Sequence, residues 1–201
     1  GLQFQMGRLT QESMTRLQEK GEAMVMRMST TIDDFRNFFK PNKHADYFNL
    51  LTTLHSASDI LEGVFRNHNI ALDIDCDPGI EVYGYVGEFS QVVLNILSNA
   101  KDAIIARPPV APAVRIRVFQ RNDSVDICFE DNGGGMPDEV LHKIFEPYFT
   151  TKEEGKGTGI GLYMSKMFIE NSMNGRLSVE NVPAGACFTV TLPSASRAAQ
   201  Q

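Results

Sequence analysis

From Met14 onward, apolar or small residues recur at Met14, Leu17, Gly21, Met24, Met28, Ile32, Phe35 and Phe39, in alternating steps of three and four. That spacing predicts a long amphipathic helix with one apolar stripe. Arg16, Glu19, Lys20, Glu22, Arg27, Asp33 and Arg36 fall off the stripe, and Pro41 ends the helix by removing a backbone donor. A seam of this length needs another helix against it, from the same chain or a partner subunit, so a homodimer through residues 10–39 is expected.

Beyond a polar linker at 41–47 the pattern changes. Leu51 to Asn67 has helical spacing, and Ile70 to Ile74 and Ile80 to Tyr83 read as strands. Glu88 to Ala106 is a second helix, with Val93, Ile96, Leu97, Ala100 and Ile104 as its core stripe. Val114 to Val118 and Val125 to Phe129 alternate with period two, as a half-buried hairpin does. Gly161 to Met173 is a third helix, and Leu177 to Val179 and Cys187 to Leu192 close the sheet. Adjacent hairpins exclude a purely parallel doubly wound fold. The predicted class is α+β: a two-layer α/β sandwich with helices on one face of a mixed, mainly antiparallel sheet. The expected division is a helix over 1–40, the linker 41–47, a domain over 48–194 and a flexible tail over 195–201.

A chain of 201 residues with 42% hydrophobic content can bury a sizeable core. Its net charge of -6 argues against a nucleic-acid partner, and binding an anionic ligand would call for a cation such as magnesium. Cys76, Cys128 and Cys187 form no C-x-x-C pair and are expected to be reduced, mostly buried thiols. The chain has no run of about 18 apolar residues, so no membrane contact is expected. It opens on Gly1, which suggests a fragment.

Four segments carry chemistry. Asn95, Asn99 and Asp102 share one helical face, and two amide oxygens one turn apart suit a hard cation bridging phosphates. Asp131 ends a strand and is followed by Asn132, Gly133, Gly134 and Gly135. Its carboxylate can accept from the exocyclic amine of adenine, where guanine presents a repelling oxygen, and the glycines let backbone approach the base. Gly155, Gly157, Gly159 and Gly161 alternate ahead of a helix whose amides can surround phosphate. Lys156 is followed by Gly157 rather than Ser or Thr, so this is no P-loop, and no strand leads into it as a Rossmann turn requires. Between the glycine clusters, a loop of about twenty residues with Phe145, Phe149, Thr150, Thr151 and Lys152 is expected to form a mobile lid, with Lys152 or Lys156 reaching phosphate.

Residues 44–194 resemble the ATP-binding domain of the histidine kinases, in the group shared with the DNA gyrase B subunit, Hsp90 and MutL. The N box resembles Asn95 to Ala103, the first glycine box Asp131 to Gly135, the F box Phe145 to Phe149, and the second glycine box Gly157 to Leu162. Met28 to Phe39 is similar to the second helix of the family's dimerisation hairpin. The resemblance implies a Bergerat-type fold binding ATP and Mg2+, with Asn99 the main metal ligand, Asn95 its neighbour and Asp131 the adenine reader. ATP contacts are then expected at Asn95, Asn99, Asp102, Asp131, Gly133, Gly135, Phe145, Phe149, Lys152, Lys156, Gly157, Thr158, Gly159, Gly161 and Leu162. It also implies a response regulator partner, reached through the parent kinase, and a cytoplasmic location. The gyrase-like ATPases carry a glutamate general base where Asn95 stands, and its absence favours a kinase over a hydrolase.

One departure stands out. None of His44, His55, His68 and His142 precedes the acidic-or-polar, then Pro pattern of a phosphoacceptor, and the first hairpin helix is not recognisable. The expected protein is therefore a kinase fragment that binds ATP but does not phosphorylate itself. Two other readings remain open: a nucleotide-sensing module without catalysis, and a serine kinase of the anti-sigma-factor type.

Overall fold

The structure, a computed structural model, describes Met14, Gly21, residues 44–152 and residues 157–194. Met14 and Gly21 are helical; the rest of the predicted lead helix, Gly155, Lys156 and the tail lie outside the described residues. Contacts group the chain into two compact units, residues 1–42 with 150–158 and residues 43–149 with 159–201.

In the larger unit, the first described element is strand β1 (Asp46–Asn49), so residues 46 and 47 of the expected linker are already strand. β1 pairs antiparallel with β3 (Glu81–Gly84), and Tyr47 faces Tyr83 with ring centroids 5.0 Å apart. The Asn49 side chain accepts from the Thr52 amide at 2.9 Å and so starts helix α1 (Leu50–Asp59). The single helix predicted over 51–67 is two: the Leu61 amide turns back to the Ser58 carbonyl at 2.9 Å, and α2 (Glu62–Asn67) follows.

A five-stranded sheet has the order β2-β4-β5-β7-β6, from β2 (Ala71–Asp75), β4 (Ala113–Gln120), β5 (Ser124–Asp131), β6 (Arg176–Val182) and β7 (Gly185–Pro193). β2 runs parallel to β4 and every other pairing in this sheet is antiparallel, the mixed sheet that the alternation predicted. Helix α3 (Val86–Ala106) supplies Phe89, Val92, Val93, Ile96, Leu97, Ala100 and Ile104, all buried as their spacing required. Ile116, Ile127, Phe129, Val190 and Leu192 of the sheet are buried with them. Each of these side chains larger than alanine contributes about 1.5–3 kcal/mol by leaving water, so α3 is the rod around which the unit is packed. On the alternate positions of the sheet, Asp73, Arg115 and Glu130 stand in register, and Arg117 pairs with Glu130.

Short helix α4 (Asp138–Leu141) sits inside the expected lid. Helix α5 (Gly161–Met167) begins where predicted, then widens into a π-helical turn over Phe168–Ser172. Among the described residues, no helix is long and apolar enough to cross a membrane.

Candidate nucleotide site

Because Val93, Ile96, Leu97, Ala100 and Ile104 turn one side of α3 into the core, Asn95, Asn99 and Asp102 share a half-buried face. The Asn95 amide nitrogen donates to the Gly161 carbonyl and to the Ser165 hydroxyl, both at 3.1 Å. These bonds orient the side chain: its nitrogen is committed to α5, and its oxygen, which accepts from Gln91 at 3.3 Å, is the atom left to meet a cation. Asp102 lies 2.9 Å from the Lys101 ammonium.

At its other end α3 meets the Asp131 turn. Asp131 closes β5 and is 5% exposed, and its Oδ1 accepts from the Gly133 amide at 2.8 Å. Burial pushes the carboxyl above the usual carboxylate range and neighbouring Glu130 adds to the rise. The backbone N–H groups of Gly133 and Ala186 and the Arg107 guanidinium pull it partly back. Gly133 lies against the last turn of α3, and a Cβ there would come within 2.8 Å of the Ala103 backbone carbon. Only glycine permits that approach. Gly135 has φ +66°, and a Cβ on it would come within 2.8 Å of Asn181 Oδ1.

Phe145 is half-buried, packs edge-on against Phe188 at 6.5 Å, and has the Lys166 ammonium 5.0 Å above its ring centroid. Phe149 is also half-buried, whereas Tyr148 beside it is 75% exposed with φ +66°. Gly159 lies against the Tyr148 backbone, Gly161 against Asn95, and Leu162 is half-buried in the first turn of α5. In the smaller unit, Gly157 packs against Thr150 and Lys152, and the Thr150 hydroxyl accepts from the Lys152 amide at 3.2 Å. Lys152, Gly157 and Thr158 belong to that unit, and Lys156 lies outside the described residues.

The larger unit thus brings Asn95 and Gly161 together at one part of α3, with Leu162 next to Gly161 in sequence, and Asp131, Gly133 and Gly135 at its C-terminal end. Sequence reasoning missed Arg107, which donates to the carbonyls of Gly134 and Gly135, and Asn181, which bonds the Met136 backbone. An arginine just past a helix end and an asparagine late in a strand carry no periodic signal. A groove of about 420 Å³ lined by residues including His55, Asp59, Phe65, Ile70, Leu72 and Ile74 holds none of the predicted nucleotide residues. Cys76, Cys128 and Cys187 are free; only Cys187 is buried, and burial pushes the Cys76 and Cys187 thiols up to about 11.

Residues 85–196 match the family model described as histidine kinase-, DNA gyrase B-, and HSP90-like ATPase. The chain is 35% identical over 188 residues to the two-component sensor PprA of Pseudomonas aeruginosa, covering 90% of this chain and 20% of that protein. Among solved structures, the catalytic domain of histidine kinase ThkA superposes with a TM-score of 0.67 at 26% identity, over 75% of this chain and 96% of that one. The fold of ThkA in its complex with the response regulator protein TrrA matches with a TM-score of 0.71 at 21% identity, over 92% of this chain and 53% of that one. The chain spans about a fifth of the length of the curated sensor that it matches over nearly its whole extent.

Proposed function

Since the chain belongs to the histidine kinase-, DNA gyrase B- and HSP90-like ATPase family, we propose that it is the catalytic domain of a sensor histidine kinase that passes the ATP γ-phosphoryl group to a histidine outside its own sequence. The observation that carries this reading is the double engagement of α3, with α5 through Asn95 and with the Asp131 turn through Gly133. One rod then relates the base end of the site to the phosphate end.

Asp131 accepts the adenine amine, and the backbone N–H groups of Gly133 and Ala186 favour its ionised form and partly offset the effect of burial. Asn95 and Asn99 supply neutral amide oxygens, a donor set that fits Mg2+ because the nucleotide brings the negative charge. When bound, the ion offsets charge developing on the phosphates. Gly157, Thr158, Gly159 and Gly161 are assigned to phosphate, with Lys152 and Lys156 as the cations nearby in sequence. Phe145 and Phe149 anchor the lid, Asp102 and Leu162 border the site, and Gly135 lets the chain turn past the base.

His44, His55, His68 and His142 are all exposed, and none stands in a phosphoacceptor pattern, so the chain alone does not label itself. Self-association through residues 10–39 and transfer onward to a response regulator belong to the same reading; ThkA, whose fold the chain shares, is in complex with the response regulator protein TrrA. The test is calorimetry of ATP with and without magnesium, followed by labelled ATP alone and with a histidine-bearing kinase whose own catalytic domain is inactive. Magnesium-dependent binding and label only on the added histidine are expected. Absence of ATP binding, or acid-labile phosphate on one of the chain's own four histidines, would overturn the proposal.

A further inference from the structure

Gly134 and Gly135 are consecutive residues at φ +86° and +66°, and glycine loses more conformational freedom than any other residue on being fixed. Such a turn holds one shape only if its neighbours impose it. The backbone of Gly134, Gly135 and Met136 bonds to neighbouring parts of the fold. The Gly134 amide donates to the Ala184 carbonyl at 2.9 Å. Asn181 of β6 accepts from the Met136 amide at 2.9 Å and donates to the Met136 carbonyl at 2.7 Å. Arg107, the residue capping α3, donates from Nη1 to the Gly134 carbonyl at 3.1 Å and from Nη2 to the Gly135 carbonyl at 2.6 Å. A planar guanidinium fork serves two successive carbonyls at once, which a lysine ammonium on its flexible stem does not.

We propose that Arg107 is a positioning residue for the nucleotide, setting the glycine turn, and with it Asp131, in fixed relation to the helix that carries Asn95 and Asn99. The turn is then shaped before ATP arrives, and the nucleotide meets no ordering cost there. The proposal deepens the ATP-binding reading and rests on it for the identity of the ligand. It has a second, electrostatic part. The charged groups acting on Asp131 are Arg107 from the end of α3 and Glu130 from β5; the first favours ionised Asp131 and the second opposes it.

The experiment compares the unchanged chain with Arg107→Ala and Arg107→Lys by amide hydrogen exchange at Gly134 and Met136 without nucleotide, and by Mg-ATP affinity across pH 4–8. Arg107→Ala should speed exchange at both amides, weaken ATP about tenfold as two charge-assisted bonds are lost, and move the acid limb of binding to higher pH. Arg107→Lys should restore the acid limb, since it keeps the charge, but not the slow exchange. Exchange and acid limb both unchanged in Arg107→Ala would overturn the proposal; if that variant does not fold, exchange in Arg107→Lys decides, and slow exchange retained there would overturn it. If the unchanged chain fails to bind ATP, the functional reading falls while the exchange comparison still decides the clamp. If it binds and Arg107→Ala matches it throughout, only the clamp falls.

Discussion

Replacing Asp131 by Asn keeps the shape of the side chain and removes its charge, which separates what the carboxylate does for the fold from what it does for a nucleotide. The group is 5% exposed and titrates above its usual value of 3.8 because burial disfavours its ionised form. Below pH 3.8 it is neutral in folded and unfolded chains alike and costs nothing. As the pH rises through its raised folded value, the native state alone bears the cost of a buried negative charge, so Asp131 lowers stability toward neutrality. Asp131→Asn carries no such cost and can still accept from the Gly133 amide through its oxygen, while its NH2 replaces an acceptor near the Ala186 N–H, a penalty that does not vary with pH. Its melting temperature relative to the parent should therefore increase between pH 4 and pH 7. For ATP the sign reverses. A hydrogen bond to a charged group contributes about 1.5–3 kcal/mol, and each 1.4 kcal/mol is about tenfold in affinity, so ATP should bind about tenfold to a hundredfold more weakly. Thermal unfolding at the two pH values and calorimetry at pH 7 measure both effects. A melting temperature that does not rise relative to the parent between pH 4 and pH 7, or full ATP affinity in the variant, would refute the reasoning.

Asn99→Ala should abolish the magnesium dependence of ATP binding while leaving the magnesium-free affinity within about twofold; retained dependence would move the ligand assignment elsewhere. Gly133→Ala places a Cβ 2.8 Å from the Ala103 backbone carbon and the Ile104 nitrogen. The turn must then separate from α3, at a cost of about 1–3 kcal/mol in a denaturant melt, with ATP affinity falling as Asp131 shifts.

Helix α3 and the Asp131 turn were legible because the signals for each are local. Val93, Ile96, Leu97, Ala100 and Ile104 recur at helical spacing, which leaves Asn95 and Asn99 no place but the other face. A carboxylate ending an alternating strand and running into three glycines likewise has few structural readings. β1 was not legible, since four residues become a strand only by pairing with β3, 35 positions further on. The break after Asp59 escaped because apolar spacing continues through Leu61 and Phe65 while the backbone turns. Arg107 and Asn181 were invisible for a third reason: their partners are main-chain atoms remote in sequence, and no side-chain pattern encodes a bond to a carbonyl.

The way α3 is engaged also limits how this chain can vary. Asn95 and Arg107 are twelve residues apart, a rise of about 18 Å along the axis, and α5 grips one mark of that ruler while the glycine turn grips the other. Inserting or deleting a single residue between the marks would swing them by about 100° relative to each other and change their spacing by about 1.5 Å. No local repacking restores both. Length variation is therefore confined to the segments outside this interval, and the spacing of the N box from the arginine is as much a part of the recognition element as the residues themselves.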